Sequence, residues 1–144
     1  MTAIAADQVV KALAARLVPM SETGGRVFTS RRWPITEAEM PAWRVTAEDE
    51  EVNQALVSGI NEHRLTVNAV CVARDTADLD DQLHLLAGAG LPLLFAAPVP
   101  YGLELTQIDR RVATEGESAV GTITLNLRAT YYVDPQAPST ILSA

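Results

Sequence analysis

The sequence predicts an α+β domain: a mostly antiparallel β-sheet with two main helices packed on one face. Three observations predict it. Residues 4–18 carry apolar side chains at helical spacing, residues 120–133 alternate with a strict period of two, and turn signals between the strand-like runs make most pairings local hairpins.

The elements follow in chain order. Val9, Leu13 and Leu17 recur at every fourth position, alanines favour helix, and Pro19 ends the first helix. The loop SETGG (21–25) leads into a short strand, Arg26 to Ser30. Residues 31–43 hold two prolines without a steady period and read as an extended connector. Trp43 and Val45 alternate with Arg44 and Thr46, a strand signature. Four successive acids, Glu48, Asp49, Glu50 and Glu51, repel one another and favour water, which predicts a loop lasting to about Glu62. From Arg64 to Ala73 the alternation returns, with Leu65, Val67, Ala69 and Cys71 on one side.

A second helix is expected to start at Asp75 or Thr76, with Asp78, Asp80 and Asp81 at its positive end. Leu79, Leu83 and Leu86 form its buried stripe, and Gly88, Gly90 and Pro92 are read as ending or breaking it. Residues 91–102 suggest a short apolar turn of helix ended by Pro98 and Pro100. Leu103 to Thr114 is a strand whose phase slips near Gln107, as at a bulge. After a turn, Val120 to Val133 places Ile123, Leu125, Leu127, Ala129, Tyr131 and Val133 on one face. Thr122, Thr124, Asn126, Arg128, Thr130 and Tyr132 take the other. One domain, 1–134, is expected, followed by a Pro-rich tail, 135–144.

Composition narrows the function. With 144 residues the chain can bury roughly 68–70% of its unfolded surface, enough for a core without staples. Eleven basic residues against eighteen acidic ones give a net charge of −7, which argues against gripping phosphate backbones. Cys71, the one cysteine, excludes an internal disulfide and a cysteine-based zinc site; inside the run AVCVA it reads as a small core hydrophobe. The longest mostly apolar stretch, 91–103, is too short to span a bilayer and carries three prolines. The N-terminus lacks the features of a signal peptide, so a soluble protein made in a cytoplasm is expected.

No catalytic constellation emerges. His63 and His84 are far apart in the chain and read as surface or boundary residues. The Asp78–Asp81 acids suit a helix N-terminus, and Glu48–Glu51 lack the spacing of a calcium loop. Arg31-Arg32-Trp33 is a weak nucleic-acid signal in a connector, and Arg110-Arg111 places one side chain on each sheet face. No nucleophile elbow, P-loop or dinucleotide fingerprint is present. The chain is therefore expected to be no enzyme and to need no metal or cofactor.

The order of features resembles a known family over nearly the whole chain. An amphipathic helix (AADQVVKALAARL) comes first, then a strand opening Gly25-Arg26-Val27-Phe28, then an acid-containing connector ending Met40-Pro41-Ala42-Trp43-Arg44-Val45. An acidic hairpin loop, a strand and a helix opening with several Asp follow, and the chain closes with Leu125-Asn126-Leu127-Arg128-Ala129-Thr130-Tyr131-Tyr132. In this the chain resembles the tail terminator proteins of long-tailed bacteriophages, the family of the lambda minor tail protein U. It departs from that pattern in having Met40, not an aromatic residue, before Pro41, and in its tail beyond Val133.

The resemblance implies a structural virion protein, assembled in the bacterial cytoplasm. It would form a hexameric ring on the last ring of tail tube protein, stop tube growth, and offer its other surface to the head-tail connector protein. DNA would pass through the ring without specific binding. A neck or tail-completion adaptor is the alternative, and a small α+β enzyme or ligand-binding domain a further one. Glu48, Asp49, Glu50 and Glu51 are candidates for a lumen-lining or tube-facing loop, or else a solvated hairpin loop. Ring subunits meeting head to tail need two complementary faces. Thr124, Asn126 and Arg128 are candidates for one of them, through the sheet face or its edge, with Arg128 either meeting a neighbour's acid or facing solvent.

Overall fold

The computed structural model describes residues 3–29, 34–54, 59–75, 78–96, 101–115 and 118–142. Its elements are α1 (Ala5–Leu17), β1 (Val27–Thr29), β2 (Ala42–Gln54), β3 (Asn61–Asp75), α2 (Leu79–Leu94), β4 (Gly102–Glu115) and β5 (Ser118–Val133), with short 3₁₀ turns at Ser21–Thr23 and Glu37–Glu39. One five-stranded sheet runs in the order β1-β2-β3-β5-β4. All neighbours are antiparallel except β1 and β2, which run parallel. The expected α+β class is the one observed.

The sheet is organised by β3 and β5, which pair from Asn61↔Val133 to Asp75↔Ala119 without a shift. Because side chains alternate along a strand, an unbroken register sends every odd-numbered residue of both strands to one face. Leu65, Val67, Ala69 and Cys71 of β3 there meet Ile123, Leu125, Leu127 and Ala129 of β5, all buried. The helices supply the other half of the core. α1 buries Val9, Val10, Leu13 and Leu17, and α2 buries Leu79, Leu83, Leu86 and Leu94.

β2 and β4 each contain one bulge, between Ala47 and Glu50 and between Leu105 and Gln107. The second lies where the sequence slips phase. Each bulge adds a residue on its own strand and so inverts the parity of inward and outward side chains beyond it.

Three features depart from the sequence reading. First, residues 48–62 do not form a loop: β2 continues through Glu48, Asp49, Glu50 and Glu51 to Gln54, and β3 begins at Asn61. Strand geometry separates the four acids onto different faces and gives two of them partners on β3, so their repulsion no longer forces a loop. Residues 55–58, also assigned to that loop, lie outside the described residues.

Second, α2 runs through Gly88, Gly90 and Pro92 to Leu94, so the first four residues of the expected 91–102 turn are its last turn. A Cβ at Gly90 would lie 2.7 Å from Trp43 Cζ2. The glycine is the seat of the buried indole, not a helix break. Pro92 would clash with the carbonyl four residues back, and that residue, Gly88, is exposed, so water can solvate its carbonyl. Pro98 and Pro100 lie outside the described residues.

Third, α2 begins at Leu79 with Asp78 as N-cap, because β3 continues to Asp75. Thr76 lies outside the described residues.

The segment after Val133 folds back onto the domain. The Ala5 amide, at the start of α1, donates to Pro138 O at 2.8 Å, the Leu142 amide donates to Tyr132 O at 2.9 Å, and the Gln8 side chain donates to Ser139 O. Ile141 packs against the core.

Two contrasts test this packing. Gly90→Ala is expected to lower the melting temperature although alanine favours helix by about 1 kcal/mol, because overpacking against Trp43 costs about 1–3 kcal/mol. Gly88→Ala, in the same helix with open space around it, should raise it. Likewise Leu125→Asp should abolish the cooperative transition seen by circular dichroism, whereas Thr124→Asp, on the uncovered face, should leave a folded protein.

Candidate functional site

Helices cover one face of the sheet. The other carries the residues of opposite parity, and they are polar over most of its area. The register sets Asn68 opposite Asn126, Thr66 opposite Arg128 and Arg64 opposite Thr130. On the far side Asp109 stands opposite Thr124 and Glu104 opposite Arg128. On the near side Glu51 stands opposite Arg64.

The middle of this face is an open trough of about 580 Å³, lined by Glu48, Thr66, Asn68, Thr106, Gln107, Asp109, Arg111, Thr124 and Asn126. Its walls are tied by amide-to-carboxylate bonds. Asn68 Nδ2 donates to Glu48 Oε2 at 2.9 Å, Asn126 Nδ2 to Asp109 Oδ2 at 3.0 Å, and Gln107 Nε2 to Asp109 Oδ1 at 2.8 Å. Farther along, Glu62 accepts from Arg64 Nε at 2.8 Å and from Tyr132 Oη at 3.2 Å. Both signs of charge are present, so the face suits a protein surface with matched charges better than a phosphate backbone.

Of the residues singled out in the sequence, Thr124, Asn126 and Glu48 meet in this trough. Arg128 lies on the same face, exposed, with Glu104 of its own chain directly across the pair of strands. Glu51 shares the face, Asp49 is exposed at the bulge, and Glu50 turns the opposite way, toward the helix layer. Arg110 lies on the helix side, where its Nε donates to His84 Nε2 at 2.9 Å, while Arg111 lines the trough. The pair is split between the faces as alternation requires. Arg31, Arg32 and Trp33 lie outside the described residues.

The inward turn of Glu50 builds a second polar group that sequence reasoning missed. Glu50 Oε1 lies 2.7 Å from His63 Nδ1 and accepts from Tyr131 Oη at 2.5 Å. The rings of His63 and Tyr131 stack with centroids 5.2 Å apart. The cluster closes the end of the core beside a small cleft of about 180 Å³ formed with Ile4, Asn61, Val133, Pro135 and Pro138. Burial raises the Tyr131 hydroxyl's pKa above its ordinary value, and its bond to Glu50 and the charge of Glu50 raise it further. The period-2 pattern did place Tyr131 on the core face, but the bulge that brings Glu50 beside it leaves no mark in the run of acids.

Cys71 has no exposed surface, and burial pushes its thiol up to about 12, which suits packing and not nucleophilic attack. Among the described residues no three His, Cys, Asp or Glu side chains are grouped to hold a metal ion, and no helix is long and apolar enough to cross a membrane. A scan against models of known protein families finds no match, and a search of curated proteins finds no relative.

The Glu50 cluster makes a pH prediction. A hydroxyl whose pKa is raised by folding contributes stability that is intact below the ordinary tyrosine pKa of about 10 and is lost as pH rises beyond it. Tyr131→Phe should cost about 1–3 kcal/mol near neutral pH, because Glu50 loses its donor. It should also flatten the fall in stability between neutral and strongly alkaline pH. Urea unfolding at a series of pH values reads both effects.

Proposed function

We propose that this chain is a tail terminator of a long-tailed bacteriophage: a structural protein whose copies form a hexameric ring on the tail tube, end its polymerisation and receive the head-tail connector. The carrying observation is the uncovered sheet face. Among the described residues, the five-stranded sheet packs helices on one side only and leaves on the other a wide, polar, amide-rich surface with charges of both signs. That is the chemistry of a surface that docks on protein. The order of sequence features supports the same reading, and the net charge of −7 suits a ring through which DNA passes without sticking.

In this reading Thr124, Asn126, Arg128, Glu48 and Glu51 belong to the docking face. Asp49 lies at its margin, and Glu50 has a structural task inside the subunit. Changing Glu48, Asp49 and Glu51 together to Ser leaves the fold intact, since exposed charges contribute little to stability, and reduces the yield of infectious particles.

The test is tail length. In a phage lacking this gene, tails in electron micrographs should run to irregular excess length. Purified protein added to polymerising tail tube protein should restore a fixed end. Arg128→Glu sets two acids across from each other at a cost of roughly 0.2–1 kcal/mol, so the subunit should fold while capping fails. Normal tails without the gene would overturn the terminator reading. Binding to the connector but not to the tube would make the protein a neck adaptor instead.

A further inference from the structure

Among the described residues, both outer edges of the sheet lack a strand partner over much of their length. β1 pairs with β2 only from Trp43 to Val45, and among the described residues no strand covers the outer edge of β2 from Thr46 to Gln54. At the opposite side, β4 is the last strand along its whole length, and no described strand pairs with its outer edge. Each such edge presents a row of backbone N–H and C=O groups able to template a further strand. The two edges differ in charge. That of β2 is acidic, with Asp49 and Glu51 exposed, whereas that of β4 is mixed: the exposed pair Arg110 and Arg111 lies toward one end, with Asp109 beside it and Glu104 farther along. Each also bears an apolar side chain in water: Val52 on β2 and Val112 on β4 are each 51% exposed.

We propose that copies of this chain join edge to edge, the outer edge of β2 in one copy pairing antiparallel with the outer edge of β4 in the next. Strand direction favours this. β2 and β5 run one way while β3 and β4 run the other, so a sheet continued without turning over sets β4 beside an antiparallel β2. Charge then selects the partner. Two β2 edges would oppose acid to acid, and like charges directly across strands are unfavourable. A register with Glu51 opposite Arg111 also sets Asn53 opposite Asp109, so no acids collide. The contact is heterologous and repeats from copy to copy, which closes into a ring when the rotation allows. Glu51 and Arg111 both point to the uncovered face, so the contact takes its two margins and leaves Thr66, Asn68, Thr124 and Asn126 at its centre free. This inference supplies the lateral contact of the ring proposed above and rests on that reading for its purpose, not for its geometry.

A charge swap read by native mass spectrometry and light scattering tests it. Wild-type protein should show oligomers. Glu51→Arg and Arg111→Glu should each stay folded by circular dichroism and weaken association by about tenfold or more. An equimolar mixture of the two, or a chain carrying both, should restore assembly, because every interface again pairs opposite charges. Wild-type protein that stays monomeric at all concentrations, or assembly indifferent to both reversals, overturns the proposal. So does sensitivity to Arg111→Glu alone with no rescue by Glu51→Arg, which would mark a symmetric pairing of two β4 edges. Wild-type rings that leave tubes uncapped, alongside charge-swap rescue of assembly, would sink the terminator reading and leave the edge contact standing. Capping by a chain whose assembly ignores both reversals would do the opposite.

Discussion

The unbroken pairing of β3 with β5 is the constraint on which the other features depend. A single register over the whole length of both strands leaves each side chain one choice of face, set by whether its number is odd or even. The odd positions are apolar over most of the strand length, so that face must be covered. α1 and α2 cover it, and Gly121 lets α2 approach: a Cβ there would lie 2.9 Å from both Leu79 and Leu83. The even positions, mostly Thr, Asn and Arg, are left to water by the same alternation. Core and open face are thus two readings of one pattern.

The two bulges act against this regularity, and both shape the candidate site. Without the extra residue in β2, Glu50 would share a face with the trough and leave His63 and Tyr131 without their carboxylate. With it, the acids divide: Glu48 bonds Asn68 on the open face, and Glu50 closes the end of the core. The bulge in β4 likewise sends Ile108 toward the core and brings Gln107 and Asp109 into the trough. A charge pattern that looks uniform along the chain becomes two sites with different tasks.

The asymmetry between faces and between edges is the physical basis for the functional reading. One face is spent on the core and the other is free for a partner. One edge is acidic and the other is mixed, with paired arginines beside Asp109. A subunit with two unlike edges and one free face is compatible with the ring proposed above. The C-terminal segment caps the first amide of α1 and bridges to Tyr132.

The sequence by itself determined the class of fold, the apolar and polar faces of β5, the buried stripe of α2 and the slip in β4, because each is written in side chains a few positions apart. Thr124, Asn126 and Arg128 were legible as an open face for the same reason. What only the tertiary structure decided involves residues distant in the chain. Gly90 reads as a helix breaker until Trp43 is seen packed on it. The acids of β2 read as a loop until β3 supplies Asn68 and His63 as cross-strand partners and β5 supplies Tyr131. In each case a local preference was overruled by contacts between segments far apart in sequence, and those contacts exist only once the sheet has brought the segments together.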